Sequence, residues 1–231
     1  MRKFKKMTTK SRSCLFFLII FFFSVSVTAA QNKVVVIPLF GDEPQATSPA
    51  PVEVTGQETC YDQDGTSIGC SGTGQDGEYQ KGVAWPDPRI TDNTDGTVTD
   101  NLTGLIWLKN ANCSSFFSDD STAQNSRNWK NAVTAANSLA DGYCGLSDGS
   151  SANDWRLPNT KELQSLIDFS NYSPALPSGH PFTDVQNNSY WSSTTIVLNT
   201  NYAWYVYMYY SGMSNHAKDN VSYVWPVRGG N

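Results

Sequence analysis

Between Thr91 and Leu102 the chain reads TDNTDGTVTDNL, and Asp92, Asn93, Asp95 and Asp100 gather around Gly96. Oxygen-bearing side chains at this density are the raw material of a calcium loop. A helix-flanked calcium loop needs an aspartate at its first position, glycine at its sixth and a bidentate glutamate at its twelfth. With Gly96 at the sixth position, Thr91 falls at the first and Leu102 at the twelfth, so both ends fail. The acids fit turn chemistry better. Asp95-Gly96 is a strong hairpin dipeptide between the short β-prone runs RIT and TVT, and residues 101–104 make a second turn into LIWL. The expected element is an antiparallel meander whose acids bond their own backbone and guard a sheet edge. No metal site is expected.

The other groups that do chemistry are sparse. The only histidines, His180 and His216, both sit in loop-like sequence, and no His-x-x-x-His or Cys-x-x-Cys spacing for zinc occurs. A serine or cysteine nucleophile would need a partner base, and nothing marks either histidine for that role. No catalytic residue and no cofactor is therefore expected. Four cysteines follow residue 30: Cys60, Cys70, Cys113 and Cys144. An even count in an exported chain implies two disulfides. Of the three connectivities, the two sequence-local bridges are expected, Cys60–Cys70 across a hairpin centred on Gly65 and Cys113–Cys144 across a helix.

Aromatic residues carry the strongest binding signal. In AWYVYMYY, strand alternation sends Trp204, Val206 and Met208 to one face and Tyr205, Tyr207 and Tyr209 to the other. Sugar rings stack on aromatic faces while their hydroxyls pair with amides. The candidate ligand contacts are Tyr205, Tyr207 and Tyr209, with Asn187, Asn188 and Asn201 nearby in loops. Arg156, beside Trp155, is a further candidate, set against a structural ion pair with an acid such as Asp154 or Asp168 and stacking on an aromatic ring. Trp107, Trp129, Trp191 and Trp225 are assigned to the core, together with the face of Trp204.

The elements that position these residues follow from periodicity. Residues 126–141 place Trp129, Val133, Ala136 and Ala140 on one helical face, with Asn125 or Ser126 to cap the start and Gly142 at the end. Asn159, with Glu162 three residues on, makes a capping box for a second helix bearing Leu163, Leu166 and Ile167. YWSSTT, AWYVYMYY and VSYVWPVR read as terminal strands, with Pro226 at an edge or a strand end.

Residues 1–30 have the layout of a secretory signal peptide: six basic residues, an apolar run from Leu15 to Val27, then Thr28, Ala29 and Ala30. Without them ten basic and twenty-one acidic residues remain, a net charge of −11. A chain this acidic is a poor partner for nucleic acid or anionic membrane. The expected layout is a signal peptide at 1–30, an apolar segment and linker at 31–56, a disulfide hairpin extension at 57–81, and one domain at 82–231. The expected location is exported: periplasmic, cell-surface or secreted, with no membrane span after signal cleavage. The run KVVVIPLF at 33–40 is an edge strand or an oligomer contact.

GVAWPDPRITDNTDGTVTDNLTGLIWLKN, DWRLPNTKEL, YWSST and VWPVRGG, in this order, resemble the Lcl C-terminal domain family over residues 82–230. That family takes its name from a bacterial collagen-like surface protein and was formerly a domain of unknown function. The resemblance implies an α+β, C-type lectin-like fold: two helices packed on a small twisted antiparallel sheet, long loops, and a last strand that returns to the first. It also implies binding or adhesion, with an extracellular polysaccharide or a surface protein as partner. This chain lacks a Gly-X-Y collagen run and the Glu-Pro-Asn or Gln-Pro-Asp triplets of calcium-dependent lectins. The alternatives are an assembly domain of an extracellular complex and, because the broad fold includes formylglycine-generating enzymes, an enzyme.

Overall fold

The structure, a computed structural model, describes residues 52–117 and 125–229. The chain divides into two units, Met1–Ala50 and Pro51–Asn231, and every described residue belongs to the second. The expected signal peptide, the run at 33–40 and most of the linker lie outside the described residues. No helix among the described residues is long and apolar enough to cross a membrane.

The fold is mixed α+β, mostly sheet with few helices. The meander is present as β3 (Ile90–Asp92), β4 (Thr97–Asp100) and β5 (Ile106–Leu108), paired antiparallel with Thr91 opposite Thr99 and Val98 opposite Trp107. Gly96, at φ +86, makes the first turn and lies against the backbone of Gly145, where a side chain would collide. The last strand, β11 (Val227–Arg228), joins this sheet beside β5. A second sheet has the order β6 (Ser126–Asn128), β10 (Val221–Tyr223), β7 (Ser189–Thr195), β8 (Tyr202–Tyr207), β9 (Gly212–Ala217). Its β10–β7 pair is parallel, so the expected single antiparallel sheet is two principal sheets, one of them mixed. Pro226 lies between β10 and β11, where the chain leaves one sheet for the other.

The core lies between these sheets and the helices. Trp225 is fully buried and meets Trp107, Phe182 and Tyr190 at ring separations of 5.8, 4.7 and 5.2 Å. Its indole N–H donates to the Leu108 carbonyl. Trp107 and Trp191 are buried as expected, and Trp129 packs partly buried against the core.

Helical segments number four among the described residues, where two were expected: α1 (Asp76–Tyr79), α2 (Ser114–Phe117), α3 (Trp129–Ser138) and α4 (Thr160–Gln164). The capping box of α4 is complete, Asn159 accepting from the Lys161 and Glu162 amides while Glu162 accepts from the Asn159 amide. The start of α3 departs from expectation. Residues 126–128 form β6 against β10, so the cap falls to Asn128, which accepts from the Asn131 amide. The helix then ends at Ser138, short of Gly142, because Leu139 turns extended and buries in the core. Both disulfides pair as expected, Cys60–Cys70 and Cys113–Cys144, with Cα separations of 5.1 and 5.6 Å. In the hairpin of β1 (Cys60–Tyr61) and β2 (Ser67–Ile68), however, Cys60 stands opposite Ile68, so its bridge to Cys70 runs diagonally.

Candidate ligand-binding site

The acidic loop is built from its own backbone bonds. Asp92 accepts from the Thr94 amide and from Lys109 Nζ at 2.6 Å, and Asp95 accepts from the Thr97 amide and hydroxyl. The Lys109 hydrogen bond, with that from Thr94, holds the Asp92 carboxyl below its ordinary range. Asp100 departs from its expected role as an edge residue. It is wholly buried and pairs with Arg89 through two hydrogen bonds of 2.9 and 3.0 Å. Among the described residues no group of acids, histidines and cysteines is arranged to hold a metal ion. Millimolar calcium is therefore expected to leave the thermal midpoint unchanged. A rise of about 2.7 kcal/mol in stability, the value for a ligand at a hundred times its dissociation constant, abolished by Asp95→Ala, would overturn this.

The structure rearranges the tyrosine row. Along β8 the fully buried positions are Ala203 and Val206, and Met208 follows, so the strict alternation breaks at Trp204. The pairing of β7 with β8 slips between Trp191 and Thr195 at the same place. Trp204 is half-buried and stands outside the core cluster, contrary to its assignment. Tyr205 packs against the core and lies 4.2 Å from the His216 ring, rather than facing outward. Burial holds the His216 pKa below its ordinary value.

Tyr207 and Tyr209 do meet at a surface, and Tyr210 joins them. The Tyr207–Tyr210 rings are 4.8 Å apart, the Tyr207–Tyr209 rings 6.3 Å and the Tyr209–Tyr210 rings 6.2 Å. Tyr209 is 45 % exposed and Tyr210 is 61 % exposed. The strand ends at Tyr207 and the chain turns through Ser211 at φ +61. Tyr210 thereby folds onto Gly212, where a Cβ would strike its ring. Tyr172, 74 % exposed, precedes Ser173, whose amide donates to the Tyr209 carbonyl. Neither Tyr172 nor Tyr210 was singled out by alternation. Tyr210 lies beyond the strand end, and Tyr172 is in a loop far away in sequence.

Asn187 and Asn188 are exposed beside this cluster, at the start of β7, where Ser189 faces Tyr207. Asn187 donates to the Ser173 hydroxyl, and Asn188 accepts from the Ser189 amide. These bonds leave the Asn187 carbonyl oxygen and the Asn188 amide nitrogen for other partners. Asn201 lies at the opposite end of β8, roughly 20 Å away at 3.3 Å per residue, where its carbonyl accepts from the Lys218 amide. Arg156 is also elsewhere. Its guanidinium grips Glu162 in a bidentate pair at 2.7 Å and donates to the Gly229 carbonyl, so the structural ion pair is present, with Glu162 as the acid rather than Asp154 or Asp168. Burial opposes ionisation of Glu162, yet the hydrogen bonds from Arg156 and the Asn159 amide outweigh it and lower its pKa.

A cleft of about 600 Å³ opens near this cluster, lined by residues 54–58, by Trp85, Asp87 and Arg89, and by Asp168, Ser170 and Asn171. Residues 52–55, expected to be linker, are docked here. Val54 and Val52 exchange backbone hydrogen bonds with Val83, and Thr55 accepts from the Phe169 amide. Burial pushes the Glu53 carboxyl above its ordinary range, and the Arg89 charge offsets this only in part.

The model of the Lcl C-terminal domain matches residues 96–228, more than half of the 231-residue chain. The chain belongs to the Lcl C-terminal domain family. A comparison with curated proteins returns no match. The matched region of this Lcl C-terminal domain holds the tyrosine cluster, β4 to β11 and one disulfide, Cys113–Cys144. It starts later than the resemblance placed it. β3, Arg89 and Trp85 precede the match, yet β3 pairs with β4 and Arg89 pairs with Asp100.

Proposed function

We propose that the protein is an exported, non-catalytic binding module that recognises neutral polysaccharide on the platform of Tyr207, Tyr209 and Tyr210. The observation that carries this reading is the cluster itself. Tyr209 and Tyr210 are exposed and stand within stacking distance of Tyr207, and the amides of Asn187 and Asn188 lie alongside. Ring faces take the apolar faces of sugars, and amides take their hydroxyls. Two disulfides support an oxidising compartment outside the cytosol. The return of β11 to the meander supports the C-type lectin-like arrangement. The net charge of −11 that remains after signal cleavage favours a neutral chain over a sulfated one.

Retention on immobilised neutral polysaccharides tests the reading. Binding is expected to persist in high salt, because stacking is not screened as charge pairs are. Tyr210→Ala is expected to weaken it by about 1 kcal/mol, roughly fivefold, with the thermal midpoint kept. Gly212→Ala should do the same by displacing the Tyr210 ring. Binding restricted to sulfated polymers, lost in salt and indifferent to both substitutions, would sink the proposal. Assembly is a second reading, favoured by β9. This edge strand of six residues, GMSNHA, carries no proline, lysine or acid to discourage pairing with another strand. Sedimentation of the purified protein as a monomer at high concentration counts against it.

A further inference from the structure

We infer that the cleft bounded by Trp85, Gly56 and Asp168 is a second subsite of the same glycan surface, and that it takes a neutral pyranose at the end of the polysaccharide chain. The inference rests on the proposed glycan recognition and deepens it.

The cleft is a built feature. Gly56 sits at φ +85, and a Cβ there would collide with both the Asp168 carboxylate and the Trp85 ring. Only glycine brings the backbone this close while holding that conformation. Trp85 is fixed on both sides of its function. Its indole N–H donates to Glu53 at 3.3 Å, and the Arg89 guanidinium stands 5.2 Å from its ring centre. The Asp168 carboxylate is fixed by the Ser170 amide and hydroxyl and by the Asn171 side chain. An aromatic ring and oriented polar groups in a cleft of this size are the features of a small-ligand site, and the space has room for a sugar ring.

The charges choose among sugars. Arg89 is 7 % exposed, and its charge is met by Asp100 and, at 3.6 Å, by Glu53. Its Nη1 is nevertheless a buried nitrogen with no hydrogen bond, and Arg89 lines the cleft. That leaves the two N–H groups of Nη1 to donate to sugar oxygens and no spare positive charge for an anion. Glu58, Asp87 and Asp168 line the same space. Carboxylates accept from hydroxyls and repel uronates and sulfates, so the fitting ligand is neutral.

The cleft and the platform are joined by one short segment. Asp168, Ser170 and Asn171 line the cleft, Tyr172 follows with its ring exposed, and Ser173 bonds the Tyr209 backbone. A polysaccharide with its terminal ring in the cleft therefore passes Tyr172 on its way to Tyr209 and Tyr210. The platform grips the chain interior, and the cleft reads its end.

The test titrates the purified protein with methyl glycosides of glucose, galactose, mannose and N-acetylglucosamine, and with methyl glucuronide, followed by ligand-observed NMR. At least one neutral glycoside is expected to bind with roughly millimolar affinity, and the glucuronide about tenfold more weakly. Trp85→Ala should abolish this binding while immobilised polysaccharide is still retained through the platform. Tyr210→Ala should leave the methyl glycoside affinity unchanged. If Trp85→Ala fails to fold, Asp87→Ala, at an exposed position, reads the same site and should weaken it severalfold. Retention of polysaccharide with no methyl glycoside bound at about 50 mM would overturn the cleft and leave the platform standing. Loss of methyl glycoside binding in Tyr210→Ala but not in Trp85→Ala would also overturn it. Absence of both kinds of binding would overturn the glycan reading as a whole.

Discussion

Replacing Asp100 with alanine is expected to lower the unfolding free energy by about 3–5 kcal/mol, the cost of stranding one partner of a buried ion pair. Asp100 is 0 % exposed at the end of β4. It receives Arg89 Nε at 2.9 Å and Nη2 at 3.0 Å, the Leu102 amide at 3.0 Å and the Thr103 hydroxyl at 2.6 Å. The same Arg89 donates to the Ser165 carbonyl at the end of α4. One carboxylate thus ties the meander turn to the strand before it and, through the guanidinium, to α4. In Asp100→Ala the buried guanidinium keeps the Ser165 carbonyl, the more distant Glu53 and the face of Trp85, and no carboxylate within hydrogen-bond distance. Urea unfolding followed by tryptophan fluorescence measures the loss, which corresponds to a fall of about 6–20 °C in thermal midpoint for a domain of this size. The double variant Arg89→Met, Asp100→Leu should lose less than Asp100→Ala alone, because no charge is left buried. A single variant within about 1 kcal/mol of the native protein would show that water reaches the pair.

This ion pair also marks the limit of what could be read from the sequence. The turn at Asp95-Gly96, the capping box at Asn159 and both disulfides were legible because each depends on residues close along the chain. Arg89 and Asp100 are also close, but locally one fits a β-prone run and the other a turn or edge acid. Nothing local says that Arg89, just before the outer strand of the meander, reaches Ser165 at the end of α4 and Glu53 among residues 52–55. The start of α3 was misplaced for a similar reason. Residues 126–128 have acceptable helical periodicity, and only the distant β10 recruits them as a strand. At the candidate site, alternation correctly sent Tyr207 and Tyr209 to a surface. It missed the irregularity that tucks Tyr205 against His216, and it stopped one residue before Tyr210. The cleft was out of reach altogether. Its walls come from a segment that reads as linker, from Trp85 ahead of the matched family region, and from a loop after α4.

Removing the Cys113–Cys144 bridge by a double substitution to alanine is expected to cost roughly 3–4 kcal/mol, given the loop it closes. The cysteines are 31 residues apart, and the loop between them contains α2, β6 and α3. Without the bridge the unfolded chain regains the freedom of that whole loop, whereas Cys60–Cys70 closes only 10 residues and should cost about 1 kcal/mol less. The folded state has its own stake in the bridge. Cys113 is buried at the exit of the meander sheet, and Cys144 leads into Gly145, which lies against Gly96 in the meander turn. Tyr143 stacks on Phe116 at 4.8 Å, and Leu146 enters the core. The bridge therefore fastens the chain after α3 to the sheet whose acidic turn first resembled a calcium loop. Denaturant unfolding of the two double-alanine variants, each compared with the oxidised native protein, measures both terms. The larger loss is expected at Cys113 and Cys144. An equal or larger loss at Cys60 and Cys70 would mean that the hairpin extension, rather than the loop around α3, limits stability. Typical domains hold a margin of about 5–15 kcal/mol, so losing this bridge together with Asp100→Ala is expected to consume a large share of it.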